Sequence, residues 1–349
     1  MNKFFLRFKS ACGRCSFGLP IFIILLIIAG CRSCNENKPD LKIDVEDIPV
    51  SVKVLRLEKD LFAISPKDLE TKLPDLKKKY GAVLNIFAQA INVENPDDSL
   101  FIFSIAKFIN NPDMKTTATE VMAKYKDISK LEAALTDAMK HYSFYYPKKR
   151  IPKIFTCMSG YNYYIIPADS IMGISLEMYM GRDYHFYPKL QLPEYQTRNM
   201  TEDYIVPDFM KTLAFSQYPA KPDDMLGYMI YHGKVLYFLD AMLPDMNDTL
   251  KIGYTTKNME WCQKNEKNIW KYLLSNKLIY TKDPTDIGKH IGDAPFTIPL
   301  GKSSAPRVGV WVGWQIVRTY MKNNSKVTLP QLMLEKNSQM ILTKSKYKP

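Results

Sequence analysis

The sequence predicts an α+β fold that is mostly helical and holds one small antiparallel or mixed sheet. Apolar residues with helical spacing fill residues 66–146 and return after residue 207. Between these regions, residues 151–180 are apolar, rich in β-branched side chains and broken by turn residues, which is typical of short strands. Helices, then a small sheet, then helices again is the element order of an α+β domain.

Helices are predicted in two regions, one before and one after the predicted strands of residues 151–180. In the first, residues 66–146, Asn111-Pro112 separates two helices because proline cannot continue a helix. A loop rich in tyrosine and proline follows the sheet at residues 181–207. The helices predicted after it span residues 208–217, 224–243, 257–275, 306–322 and 328–342.

Strands are predicted in four short segments. Residues 41–57 alternate apolar and polar side chains, which predicts a strand ahead of the first helices. Residues 151–158 and 161–166 flank the turn Ser159-Gly160, and this arrangement predicts a hairpin. Residues 173–180 predict a further strand of the same sheet.

The chain begins with a pattern typical of a bacterial lipoprotein signal peptide. A leader with four basic and no acidic residues precedes an apolar run at 19–29, which is too short to span a bilayer as a helix. Small residues then precede Cys31, whose thiol is predicted to carry the lipid. An uncleaved anchor followed by an ordinary cysteine is the alternative. The predicted organisation is a signal peptide at 1–30, a tether at 31–40 and a single domain at 41–349, divided into 41–150 and 151–349.

The positive charge of the chain does not by itself indicate a nucleic-acid partner. The formal net charge is +12, and it falls to +8 when residues 1–30 are removed. The lysines are dispersed, which is typical of a solvated basic surface; attraction to anionic envelope components is the other interpretation. Because an exported protein rarely meets nucleic acid, we expect no such partner.

The cysteines predict neither a disulfide framework nor a metal site. Removal of residues 1–30 leaves Cys31, Cys34, Cys157 and Cys262, and lipidation would take the first of these. No Cys-x-x-Cys pair lies near histidine residues. Cys157 and Cys262 are expected to be buried and to pack as small apolar side chains.

The helix predicted at 224–243 carries a fragment of a catalytic motif. It is apolar on all sides, so we expect it at the centre of the fold. Zinc peptidases place His-Glu-x-x-His on such a helix, with two metal ligands on one face and a glutamate that activates water. Here Gly233 occupies the glutamate position and Leu236 the second histidine position. We therefore expect no catalytic residue and no metal ligand, and interpret His232 as a hydrogen-bonded core histidine.

Buried charge and small residues give two further expectations. Lys234 lies in the same apolar helix and needs a partner such as an acid or a helix C-terminus. Gly309 and Gly313 share one helix face, which predicts close packing against another helix. Arg307 and Arg318 are expected at the surface or at a helix cap.

Several long segments resemble one known family. They are residues 205–208, 229–240, 250–255, 261–270 and 307–324. In content and order these segments resemble the gliding motility lipoprotein GldB family of Bacteroidetes, closely over about 150–349 and more loosely before. The resemblance implies a component of the cell envelope that is needed for gliding or for the linked secretion machinery.

GldB-like proteins are in turn distantly similar to a group of zinc-peptidase-like lipoproteins. This resemblance implies a zincin-like fold with a degenerate metal motif, in which helices 224–243, 257–275 and 306–322 match the order of the peptidase helices. Glu266 lies in the segment where the third zinc ligand would fall. The candidate residues of the vestigial motif are His232, Gly233, Lys234 and Glu266.

Three functions are compatible with these observations. The first is a non-catalytic, cofactor-free lipoprotein of the outer membrane, held by Cys31 and bound to envelope proteins of the gliding or secretion machinery. No acidic cluster follows Cys31, which favours a periplasm-facing protein. The second is an atypical periplasmic metal-dependent hydrolase that holds zinc through His232. The third is the binding of a small or polymeric ligand in a vestigial cleft near His232 and Lys234.

Overall fold

Helices make up most of the part of the chain that the computed structural model describes, residues 41–168 and 170–349. The strands are β1 (Leu55–Arg56), β2 (Lys153–Cys157), β3 (Ile165–Ala168) and β4 (Ile171–Ser175). The helices before the sheet are α1 (Leu57–Phe62), α2 (Leu69–Tyr80), α3 (Ala82–Ala90), α4 (Phe101–Asn110), α5 (Pro112–Lys124) and α6 (Ser129–Tyr145). Those after it are α7 (Glu194–Thr197), α8 (Ile205–Gln217), α9 (Met225–Met242), α10 (Asp248–Ile252), α11 (Thr256–Ser275), α12 (Pro284–Ile291), α13 (Val308–Asn323), α14 (Leu329–Leu334) and α15 (Ser338–Ser345).

This architecture confirms the predicted α+β class with a small mixed sheet. The signal peptide, the tether and the lipidation site Cys31 lie outside the described residues. Of the helices predicted after residue 207, α8, α9, α11 and α13 form within three residues of the predicted bounds. The segment 328–342 forms two helices instead of one, because Asn337 starts α15 by accepting a hydrogen bond from the Met340 backbone at 2.8 Å. The short helices α7, α10 and α12 lie in segments for which no helix was predicted.

The predicted hairpin of residues 151–158 and 161–166 is wrong. The strand order is β1-β2-β4-β3, in which β2 pairs with β4 in parallel and β3 pairs with β4 in antiparallel fashion. Gly173 of β4 lies opposite Phe155 of β2, and a Cβ atom at residue 173 would come within 2.5 Å of the Phe155 ring. The ring therefore fits over the glycine, and this fit sets the register of the β2–β4 pair.

A buried carboxylate holds the turn that was predicted to close the hairpin. Glu177 accepts hydrogen bonds from the backbone N–H groups of Ser159, at 2.6 Å, and Tyr161, at 3.2 Å, and from the Ser159 hydroxyl, at 2.9 Å. Gly160 between them has φ +70°, a left-handed conformation that favours glycine. The turn thus exists, but it directs the chain away from β2.

The predicted strand at 41–57 forms only at Leu55 and Arg56, which pair with β2. Upstream of these residues, the chain bonds to side chains of α6 instead of to another strand. The backbone N–H of Val52 donates to the Thr136 hydroxyl at 3.0 Å, and that of Val54 donates to the Glu132 carboxylate at 2.9 Å. The alternating pattern therefore reflects burial of this segment against α6 and does not indicate pairing with another strand.

The sheet separates two apolar cores. Phe155, Cys157 and Ile166 face the smaller core, which contains the buried side chains of α1 to α4. Ile154 and Met172, on the other face, belong to the larger core around α9 and α13. This division follows from the two-residue period of a strand, which sends successive side chains to opposite faces.

Two helices, α9 and α13, form the centre of the larger core, and their backbones meet at glycines. A Cβ atom at Gly313 would lie 1.9 Å from the carbonyl oxygen of Met229, and one at Gly233 would lie 2.3 Å from the carbonyl oxygen of Gly313. At Gly309, it would lie 2.7 Å from Ile291. These distances confirm the predicted close helix packing. Among the described residues, no helix combines the length and the apolar character needed to cross a membrane.

The first test compares alanine at two helical glycines. Gly313→Ala places a methyl group where the Met229 backbone already lies, so we expect a loss of about 3 kcal/mol in the free energy of unfolding. Gly288→Ala is the matched control, because nothing lies within 4 Å of its added Cβ atom. We expect this variant to gain about 0.5–1 kcal/mol from its higher helix propensity. Urea denaturation measures both; equal stability of the two variants would contradict the packing described.

Candidate functional site

The fragment of the zinc-peptidase motif lies in the middle of α9. Asp224 starts this helix by accepting a hydrogen bond from the Gly227 backbone at 2.8 Å. Buried side chains cover most of its length, which confirms the predicted central position. The window His232–Leu236 is therefore surrounded by other elements of the fold.

Gly233 occupies the position at which a peptidase carries its catalytic glutamate. Its Cα faces the backbone of α13, and an added Cβ atom would also lie 2.9 Å from the Trp314 nitrogen. No larger side chain fits unless the two helices separate. Leu236, at the position of the second histidine ligand, is buried in the larger core with 3% exposure. Gly233 and Leu236 thus contribute to packing at the positions where a peptidase carries its catalytic glutamate and its second histidine ligand.

His232 is half-buried and lies among aromatic and charged side chains. Its ring contacts Phe215 edge-on, with 5.7 Å between centroids, and also contacts Tyr231. Burial, together with the positive charges of Arg307 and Lys211, lowers the pKa of His232 to about 4, against the partial opposition of Asp293. The imidazole is therefore neutral at pH 7. No hydrogen bond to it is formed within residues 41–168 and 170–349, in contrast to the hydrogen-bonded core histidine that was expected.

Arg307 holds part of this environment in place. It has φ +49° and precedes α13, where its guanidinium pairs with Asp293 at 3.2 Å and donates to the carbonyl oxygen of Ile252. A second pair lies on α8, where Lys211 contacts Asp208 at 3.1 Å and Asp208 accepts a hydrogen bond from Tyr179. The polar groups around His232 are thus paired mainly with one another.

Lys234 lies on a different face of α9 from His232. Its ammonium donates to the carbonyl oxygens of Met333, at 3.2 Å, and Glu335, at 2.8 Å, at the C-terminal end of α14. This contact confirms that the buried cation has a helix C-terminus as its partner. Burial lowers the pKa of Lys234 more than the Glu335 carboxylate raises it, and the net result is a pKa of about 8.

Glu266 lies on α11 and is engaged elsewhere. Its carboxylate accepts a hydrogen bond from the Tyr347 hydroxyl at 2.8 Å. Burial raises the pKa of Glu266, and the bond from Tyr347 lowers it in part. No contact of the described residues joins Glu266 to His232. Within this same part of the chain, no three His, Cys, Asp or Glu side chains are grouped so that they could hold a metal ion.

A buried ionic cluster connects α9, α10 and α13, and the sequence analysis did not identify it. Asp240 accepts hydrogen bonds from Arg318 at 2.7 and 2.8 Å, from Lys251 at 2.9 Å and from the Trp314 indole at 2.9 Å. Arg318 also pairs with Asp248 at 2.8 Å and stacks on the Trp314 ring at 3.7 Å. Two acids and two bases balance each other, and together they join three helices.

The cluster corrects the prediction that Arg318 lies at the surface or at a helix cap. Its side chain is 5% exposed. Burial lowers the pKa of Arg318, but the neighbouring Asp240 and Asp248 more than reverse this effect, so the net shift is upward. The one signal in the sequence was Asp240 itself, an acid near the end of an apolar helix that needed a buried cation.

The described cysteines offer no activated nucleophile. Cys157 and Cys262 are buried and free, as predicted. Burial raises the pKa of both thiols, so neither is a thiolate at neutral pH. Chemically, the neutral imidazole of His232 is thus the group of the predicted motif that is free to accept a proton or a ligand.

One comparison with known proteins gives a match. The family model described as gliding motility protein GldB matches residues 38–349, which is most of the chain. Comparisons with curated proteins and with solved structures give no significant match.

The lowered pKa of His232 makes a prediction about stability and pH. Between pH 6.5 and about 4 the unfolded chain binds a proton at this residue that the folded protein does not, so stability falls as the pH is lowered through that range. Relative to His232→Gln, the wild type should lose up to about 1.4 kcal/mol per pH unit there. Urea denaturation of both proteins between pH 7 and 4 measures the difference between their free energies of unfolding. The contributions of the other titrating groups cancel in this difference. Parallel curves would show that the imidazole has an ordinary pKa.

Proposed function

The chain belongs to the family of gliding motility protein GldB, and from this premise we propose that it is a non-catalytic lipoprotein of the cell envelope. In this proposal it is held in the outer membrane by a lipid on Cys31 and faces the periplasm. Its folded body binds protein components of the gliding or linked secretion machinery. It needs no metal or cofactor.

The contact between Gly233 and α13 is the observation that carries the non-catalytic part of the proposal. A water-activating glutamate at residue 233 would need the space that the Gly313 carbonyl oxygen now occupies, 2.3 Å from the position of its Cβ atom. The second ligand position, Leu236, points into the core. Restoring a peptidase site would therefore require the two central helices to move apart.

The anchoring part of the proposal is supported by the N-terminal sequence. A basic leader, a short apolar run and small residues precede Cys31, and the polar residues 32–40 follow. The first described residues already pack on the body, since Lys42 forms an ion pair with Asp245. A tether of about ten residues then separates the lipid from the folded domain, and extended it spans at most about 35 Å.

A metal-dependent hydrolase remains the second candidate because of one feature of His232. Its imidazole is neutral at pH 7 and has no hydrogen bond within the described part of the chain, which is the state that a metal ligand requires. In this alternative, His232 holds zinc together with residues of the surrounding loops, and replacing His232 removes both the metal and the function.

Complementation of cells that lack the chromosomal gene separates these possibilities. His232→Ala should restore spreading or secretion to the wild-type level, because the imidazole has no catalytic task. His185→Ala is the matched control, an exposed histidine that pairs with Glu120. Cys31→Ala should leave the membrane fraction and lose most of the activity, because the body is no longer held at the membrane.

Three results would contradict the proposal. Loss of activity in a folded His232→Ala protein, together with loss of near-stoichiometric zinc that the wild type carries, would establish the hydrolase. Retention of Cys31→Ala in the membrane fraction would refute the lipid anchor at that residue. Full activity of a released Cys31→Ala protein would show that the anchor is not needed for function.

A further inference from the structure

The loop between α6 and β2 concentrates positive charge on the surface. Its residues 147–150 are Pro-Lys-Lys-Arg, and all four are exposed, as is Lys153 at the start of β2. We call residues 147–150 the basic loop. The sequence contains no acid from residue 138 to residue 168, so the loop has no acidic neighbour along the chain. Its three cations also form no ion pair with any residue that the structure describes.

Contacts at both ends hold the backbone of the basic loop in place. The backbone N–H of Lys149 donates to the carbonyl oxygen of Tyr146 at 2.9 Å, which closes a turn over the two residues between them. The Tyr146 ring packs against Tyr142 with 5.1 Å between centroids, and Pro152 after the loop is buried. The cations therefore extend from a fixed, exposed turn, and only their side chains need to be ordered when a surface binds them.

An exposed aromatic side chain lies three residues before the basic loop. Phe144, in the last turn of α6, is 50% exposed, and its ring contacts that of Tyr145 edge-on with 5.2 Å between centroids. Aromatic rings next to lysine and arginine are typical of surfaces that bind the interface of a bilayer. There the ring leaves water, while the cations remain at the level of the lipid phosphates.

The segment that follows the tether is bonded to the same helix. The carbonyl oxygen of Glu46 accepts a hydrogen bond from the Lys140 ammonium at 2.8 Å. At about 1.5 Å per residue, the end of α6 lies only about 8 Å beyond Lys140. A tether that extends to about 35 Å therefore allows the basic loop to reach the bilayer that holds the anchor. The three exposed acids of residues 44–47 are outnumbered by the five cations of residues 140–153.

We propose that the basic loop and Phe144 dock the body on the anionic phospholipid surface of the membrane that holds the lipid anchor. The lysine and arginine side chains donate hydrogen bonds to lipid phosphates, and the Phe144 ring enters the interface. Each cation near such a surface strengthens binding about fivefold. This inference rests on the anchor of the proposed function, because the anchor keeps the loop within reach of the bilayer. Docking then gives the tethered body one orientation.

Chemical labelling of the lipoprotein in vesicles tests the proposal. The protein purified from the membrane fraction is inserted into phosphatidylcholine vesicles or into vesicles that also contain phosphatidylglycerol. An amine-acylating reagent is added, and mass spectrometry measures acylation at each lysine. Relative to the exposed Lys344 and Lys348 of the same sample, we expect acylation of Lys148 and Lys149 to fall about threefold or more on the anionic vesicles. It should recover in about 1 M salt, which screens the attraction.

A triple variant assigns the protection to the basic loop. With Lys148→Gln, Lys149→Gln and Arg150→Gln combined, Lys153 serves as the reporter, because it is exposed and follows the loop directly. On anionic vesicles, we expect Lys153 to be protected in the wild type and to be acylated as on neutral vesicles in the variant. All three replaced side chains are exposed, so the variant should fold.

The matched control removes the same charge at the C-terminus. Lys344→Gln, Lys346→Gln and Lys348→Gln replace three exposed lysines that also lie within five residues of one another. Combined in one protein, they should change the protection of the basic loop by less than about twofold, because they reduce the net charge without touching the docking surface.

Flotation of the same samples separates failure of the loop from failure of the anchor. Protein that does not float with neutral vesicles lacks the anchor, which refutes that part of the proposed function; flotation with anionic vesicles alone would then still support the basic loop, and flotation with neither would overturn it. For protein that floats with both, equal acylation of Lys148 and Lys149 on the two kinds of vesicle would overturn the inference. Protection by soluble polyglutamate but by neither vesicle would also overturn it, in favour of an acidic polypeptide partner.

Discussion

The backbone contact between α9 and α13 at Gly233 and Gly313 is the constraint on which the rest of the larger core depends. Met229 packs on Gly309 and Gly313, and Gly233 packs on Gly313. Further along both helices, Asp240 accepts hydrogen bonds from Trp314 and Arg318. The contacts therefore advance in the same direction along both helices. Around this contact, α9 also packs on α8, and α13 packs on α11 and α15. The missing Cβ atoms thus set the positions of the surrounding elements.

The same contact creates the environment of the buried charges. Asp240 reaches Arg318 and Trp314 because the two helices meet at Gly233 and Gly313, about two turns before Asp240 and just before Trp314. Desolvating such charges is costly, and removing one partner of a buried pair typically costs about 3–5 kcal/mol. The full set of hydrogen bonds around Asp240 offsets this cost and fixes the rotation of α9. That rotation places His232 on the side of α8 and Lys234 on the side of α14. The two polar residues of α9 therefore lie in separate environments.

Local patterns in the sequence were sufficient for the long helices after residue 207 and for the glycine contact, and they failed where partners are distant in sequence. Gly309 and Gly313 predicted a close helix neighbour because their spacing is a local property of one helix. The parallel pairing of β2 with β4 could not be predicted, since the fit of Phe155 over Gly173 joins segments that are separated by the turn at residues 159–161 and by β3. Arg318 was expected at the surface or at a helix cap because its partners, Asp240 and Asp248, lie 78 and 70 residues earlier in the chain. Lys234 was expected to need an acid or a helix C-terminus as its partner, but the sequence did not show that the partner is α14.

The central claim is that residue 233 must be glycine because of α13, which excludes the catalytic glutamate of a peptidase. The most direct measurement is the urea denaturation of Gly233→Glu, with Gly288→Glu as the matched control at a helical glycine that has open space around it. The account predicts that Gly288→Glu unfolds cooperatively with nearly wild-type stability, while Gly233→Glu loses more than about 3 kcal/mol or fails to fold. A Gly233→Glu protein that is as stable as the control would contradict it, because the helices would then tolerate the glutamate.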